Sequence, residues 1–88
     1  MKEKNPKKKG DILRDEEDGA FIVNSRGTCF GLGRSVFWLW EACDGKTPVK
    51  QLAEDFGNKF KLSRTESREI VESILRNLEE SGVLSRIR

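Results

Sequence analysis

Residues 32–52 read Leu32-Gly33-Arg34-Ser35-Val36-Phe37-Trp38-Leu39-Trp40-Glu41-Ala42-Cys43-Asp44-Gly45-Lys46-Thr47-Pro48-Val49-Lys50-Gln51-Leu52. One strand ends in this stretch and two helices begin. Val36, Leu39, Trp40 and Cys43 recur at helical spacing and form one stripe, so a first helix is predicted from about Arg34 to Cys43. Phe37 and Trp38 lie outside that stripe, which makes the helix apolar over much of its circumference. Asp44-Gly45 is a helix stop. Thr47 then reads as the N-cap of a second helix, with Pro48 at the first helical position.

Upstream lies a β-rich third. Asp11 to Arg14 carries the apolar pair Ile12 and Leu13, and Asp15-Glu16-Glu17-Asp18-Gly19 is a polar turn. Ala20 to Asn24 is aromatic and β-branched, the strongest strand candidate. Ser25-Arg26-Gly27 is a short hairpin loop, and Thr28 to Leu32 returns antiparallel. Alternation puts Phe30 and Leu32 on one face, with Cys29 and Gly31 on the other.

Downstream, Val49, Leu52, Ala53, Phe56 and Phe60 make the apolar face of the second helix, and Gly57 is expected to weaken its last turns. Ser63-Arg64-Thr65-Glu66 is a capping box that opens a third helix. Ile70, Val71, Ile74, Leu75 and Leu78 continue it to a stop at Gly82; Val83 and Leu84 pack back, and Ser85 to Arg88 are expected to fray. Three strands followed by three helices imply an α+β fold. Its small antiparallel sheet must pack on the helices to bury a face.

At 88 residues the chain makes one domain. Residues 1 to 9 hold five lysines and one glutamate, a balance of +4 against +2 for the whole chain, which leaves −2 for the rest. Residues 1–10 are therefore expected to be a disordered basic tail and 11–88 the folded domain. There is no apolar run of about 18 residues to span a membrane. No apolar segment follows the basic amino terminus, so it does not read as a secretory signal. A cytoplasmic protein is expected.

The chemistry of catalysis is thin. The sequence has no histidine and no tyrosine, and its two cysteines, Cys29 and Cys43, are not in metal-ligand spacing. The acids of the third helix alternate with Arg64, Arg68 and Arg76, the pattern of a solvated face. Gly31-Leu32-Gly33 ahead of a helix lacks the further residues of a phosphate loop. No enzyme and no cofactor are expected. What the pattern does offer is a sheet edge at residues 28–32, whose unpaired N–H and C=O groups suit capture of an extended peptide.

Leu39-Trp40, Cys43-Asp44-Gly45 and Thr47-Pro48-Val49, set between a hairpin and two further helices, resemble the PqqD family. These are small proteins of pyrroloquinoline quinone (PQQ) synthesis, related to the leader-peptide recognition elements of ribosomal peptide pathways. The closing run Val71, Ile74-Leu75, Leu78, Gly82-Val83-Leu84 fits as well, so the resemblance covers about residues 11 to 86. One departure is Gly33, where the family often has an asparagine that caps the helix.

The resemblance implies a winged-helix-like fold and a non-catalytic peptide chaperone. A precursor's leader would add as a strand beside Thr28, Cys29, Phe30, Gly31 and Leu32. Ile70, Ile74 and Asn77 of the third helix would line its groove, and Arg68 and Arg76 would pair with acidic leader residues. Implied partners are the precursor peptide and a radical-SAM or other maturation enzyme, with no nucleic acid and no membrane. A monomer or weak homodimer is expected. The alternative is a winged-helix DNA-binding regulator. Against it, Ser63 to Ser81 carries three arginines and five glutamates, the wrong sign for a recognition helix. A third reading is an interaction module that dimerises through its sheet edge or through Phe37 and Trp38.

Overall fold

The computed structural model describes residues 5–86. A three-stranded antiparallel sheet, in the order β2-β3-β4, consists of β2 (Asp11–Glu16), β3 (Gly19–Val23) and β4 (Cys29–Gly33). Three helices follow: α1 (Arg34–Ala42), α2 (Val49–Phe60) and α3 (Arg64–Glu80). The fold is α+β, with the three strands and three helices expected from the pattern. Gly19 takes φ 150° at the first turn and Gly27 takes φ 84° at the second, backbone that side chains other than glycine's rarely tolerate.

One face of the sheet builds the core. Ala20 and Ile22 of β3 are buried with Leu39, Trp40 and Cys43 of α1, Leu52 and Phe56 of α2, and Val71, Leu75 and Leu78 of α3. The opposite face of β3 leaves Phe21 39% exposed, as period-two alternation requires. β2 is exposed along its whole length and carries a bulge between Ile12 and Arg14. Phe37 stacks on Trp40 and Trp38 packs on Phe56 and Phe60, so both aromatics join the edge of the core.

Some local readings shift. The N-cap of α2 is Pro48, one residue later than expected; Thr47 instead gives its N–H to Asp44 Oδ1 at 2.9 Å. Gly57 does not mark a weak end of α2. It is buried where a Cβ would come within 3.1 Å of Ser67 Cβ, so its bareness lets α2 and α3 approach. Ser67 uses the gap to donate its hydroxyl to the Ala53 carbonyl.

The two ends of the described chain are more ordered than the sequence suggests. Lys7–Lys8 forms β1, which pairs antiparallel with β5 (Leu84–Ser85). Lys8 N–H donates to Cys43 O, Lys9 N–H to Val83 O and Gly45 N–H to Pro6 O, with Pro6 fully buried. The expectation of a disordered arm through Gly10 is therefore corrected for Asn5 to Gly10; Met1 to Lys4 lie outside the described residues. Nothing in a lysine run signals such a strap, because backbone groups and one proline hold it. Fraying from Ser85 is corrected likewise. Ser85 pairs with Lys7, and the Arg86 guanidinium reaches Glu72 and Glu79 at 3.3 and 3.2 Å. Ile87 and Arg88 lie outside the described residues.

Candidate functional site

Among the described residues β4 is paired on one side only. Its register to β3 runs Val23↔Cys29, Ile22↔Phe30, Phe21↔Gly31, Ala20↔Leu32 and Gly19↔Gly33. At the hairpin end, Asn24 N–H donates to Thr28 O at 2.9 Å, which makes Asn24·Thr28 a hydrogen-bonded pair. Such pairs alternate along an antiparallel ladder. Phe30 and Leu32 therefore turn their backbone groups toward β3. Cys29 and Gly31 turn N–H and C=O outward, and Gly33 its N–H. Among the described residues no strand takes that edge.

The side chains obey the complementary alternation. Phe30 and Leu32 lean toward the helices and are half-buried against the core. Between β4 and α3 they border a groove of about 190 Å³. Val36, Ile74, Leu78 and Val83 complete its apolar wall, and Asn77 and Ser81 give it polar points. Among the described residues no ionisable side chain lines it.

Two hydrogen bonds fix the width of this groove. The Trp40 indole donates Nε1–H to Val83 O at 2.7 Å, anchoring the groove floor to α1. The buried Asn24 donates Nδ2–H to Ser81 O at 2.9 Å, anchoring the hairpin to the end of α3. Its Oδ1 accepts from the N–H groups of Arg26 and Thr28, both at 2.9 Å.

The residues expected at the site divide. Cys29, Phe30, Gly31 and Leu32 form the edge, and Ile74 and Asn77 face them across the groove. Thr28 stands outside β4, with both N–H and C=O already engaged by Asn24. Ile70 is 39% exposed and does not line the groove. Arg68 is elsewhere. It borders a wider depression of about 610 Å³ between α2 and α3, with Lys50, Glu54, Arg64 and Glu69. Helical spacing explains this, because residues 68 and 74 are six apart and lie on different faces.

The reading from sequence missed Val36, Leu78, Ser81 and Val83 of the groove and the two residues that set its width. Asn24 carried a signal, an asparagine ahead of Ser-Arg-Gly, where its side chain would close a turn on its own backbone. Its bond to Ser81, 57 residues away, carried none.

The shifted ionisable groups are structural. Burial, with help from the Asp44 charge, pushes the Cys43 thiol up to about 12. N–H groups of Lys46 and Thr47 hold Asp44 below the ordinary carboxylate value, and Ser63 does so for Glu66 in the capping box. None of the three lines the groove.

A bare sheet edge over an apolar groove, closed by a third helix, is the arrangement into which the family comparison falls. The PqqD family model, described as coenzyme PQQ synthesis protein D, matches residues 12–84, nearly all of the domain. The chain belongs to the PqqD family. That family is a non-catalytic accessory of PQQ synthesis, and membership implies a part in that synthesis. Comparison with curated proteins and with solved structures gives no match. The matched span runs through β2, β3, β4 and all three helices to Leu84, so it includes both walls of the groove. No described helix of this PqqD-family chain is long and apolar enough to cross a membrane.

Proposed function

We propose that this protein binds the leader segment of a ribosomally made precursor peptide as a fourth strand on β4 and presents it to a radical-SAM or similar modifying enzyme. The observation that carries this reading is the outward backbone of Cys29 and Gly31 beside the apolar groove. An added strand would hydrogen-bond to those groups, and its alternate side chains would enter between Phe30, Leu32 and Ile74. The family's own role with a precursor peptide and a radical-SAM partner supports it.

Titration of the labelled protein with the leader of a precursor encoded beside this gene tests the proposal. Amide shifts at Cys29 to Gly33 and along Ile74 to Ser81 are expected. Shifts that follow a DNA duplex instead, and fade with salt, would replace it with the winged-helix regulator. Ile74→Lys should weaken the peptide complex while Arg68→Ala leaves it within about twofold, since Arg68 lies on another face.

A further inference from the structure

Both faces of an added strand meet this protein, and the outer one has been left bare. Phe21 projects from β3 away from the core and remains 39% exposed. Its neighbour across the ladder is Gly31. A Cβ at Gly31 would lie 3.2 Å from Phe21 Cε1 and 3.5 Å from Cδ1, so the ring already lies across the glycine. A Cβ at Gly33 would meet nothing within 4 Å. The outer face of the free edge is thus a shelf with one aromatic ring and no side chain at two of its three β4 positions. Cys29 and Val23 close it toward the hairpin loop.

Strand spacing gives the shelf its meaning. Neighbouring strands lie about 4.8 Å apart, so a peptide on β4 runs about 10 Å from β3. A side chain at position 31 would separate that peptide from Phe21. With glycine there, the ring covers the intervening strand and offers its far edge to the peptide's outward residues. Cross-strand aromatic pairs of this kind are a unit of sheet stabilisation.

We infer that Phe21, reaching across Gly31, forms a second subsite on the outer face of the sheet, which selects a bulky apolar side chain, aromatic above all, at an outward position of the bound peptide. The inference rests on strand addition at β4 and deepens it. The inner groove reads one phase of the strand; the Phe21 shelf reads the other.

Selection of random twelve-residue peptides on the full-length protein, displayed on phage, provides the probes. Synthetic copies of the selected peptides are titrated into wild type, Phe21→Ala and Phe21→Leu, with amide shifts mapped in each. The expected peptides shift Cys29 to Gly33 and carry apolar residues in one phase with an aromatic at one position of the other. Alanine at that outward position should cost wild type about threefold or more, cost Phe21→Leu less, and cost Phe21→Ala under about twofold. Alanine in the inward phase should cost all three alike. Equal outward losses on wild type and Phe21→Ala would overturn the shelf and leave strand addition standing. Selected peptides that shift no β4 amide would remove strand addition and the shelf together. A dimer in sedimentation with protected β4 amides would place a second copy on this edge and overturn the inference.

Discussion

Asn24 and Ser81 are joined by a hydrogen bond from Nδ2 to the carbonyl oxygen at 2.9 Å, across 57 residues of sequence. The same asparagine closes the hairpin turn through Oδ1, so one buried amide holds a β-turn and a helix end at a fixed separation. The groove between β4 and α3 opens directly beside this tie, with Ser81 in its wall.

Asn24→Ala removes three hydrogen bonds and leaves the Ser81 carbonyl without this donor. A loss of about 2–3 kcal/mol is expected in urea unfolding. Hydrogen exchange at Thr28 should accelerate more than exchange within α2, because Thr28 N–H loses its acceptor.

Trp40→Phe keeps a ring in the core and deletes the donor to Val83 O. That carbonyl still accepts from Lys9 N–H at 2.9 Å, so it is not orphaned. The expected cost is about 1–2 kcal/mol, read from the unfolding midpoint. Removal of residues 1–9 in the same background should cost more than it does in wild type, since Val83 O then loses both donors.

Cys29→Pro tests the edge. The ladder alternation points this N–H away from β3, where proline removes a donor without breaking native pairing. Peptide affinity should fall about tenfold or more while the unfolding midpoint holds. Normal binding by this variant would count against strand addition at β4.

Thiol reactivity should separate the two cysteines. Cys29 is exposed, whereas Cys43 is buried and its thiol is pushed up to about 12. At pH 8 dithionitrobenzoate should titrate one thiol in the native protein and two in denaturant. Saturating peptide should slow the native reaction, because Cys29 lies on the edge the peptide would cover.

Asp44 and Glu66 give the acid limb of stability its direction. Both are held below their ordinary values of 3.8 and 4.5 in the fold, by backbone N–H groups at Asp44 and by the Ser63 N–H and hydroxyl at Glu66. A depressed carboxylate contributes stability above its unfolded value and loses it as pH falls through the folded one. The urea midpoint should therefore decline below those ordinary values. Asp44→Asn and Glu66→Gln should each make the decline shallower.

Much of the α+β fold was legible from local pattern. Period two over residues 20–32 and the capping box at Ser63 are short-range signals, and short-range physics produces them. Cys29 to Leu32, named from the sequence, lie on β4, and Ile74 and Asn77 line the groove beside it. Thr28, Ile70 and Arg68 lie away from that groove, because the place of each depends on something tertiary: a turn partner, the end of a groove, or which side of α3 faces the sheet.

By itself, then, the sequence determined the order of strands and helices, the apolar stripe through Trp40 and the absence of histidine and tyrosine chemistry. Those follow from residue type and spacing. Packing in three dimensions brings Lys7–Lys8 back on Leu84–Ser85, Asn24 to Ser81, and Phe21 over Gly31. Each is a meeting of backbone groups or side chains that no periodicity encodes. The free edge at Cys29 to Gly33 needed both: glycine and alternation written in the chain, and a register that turns its hydrogen-bonding groups outward.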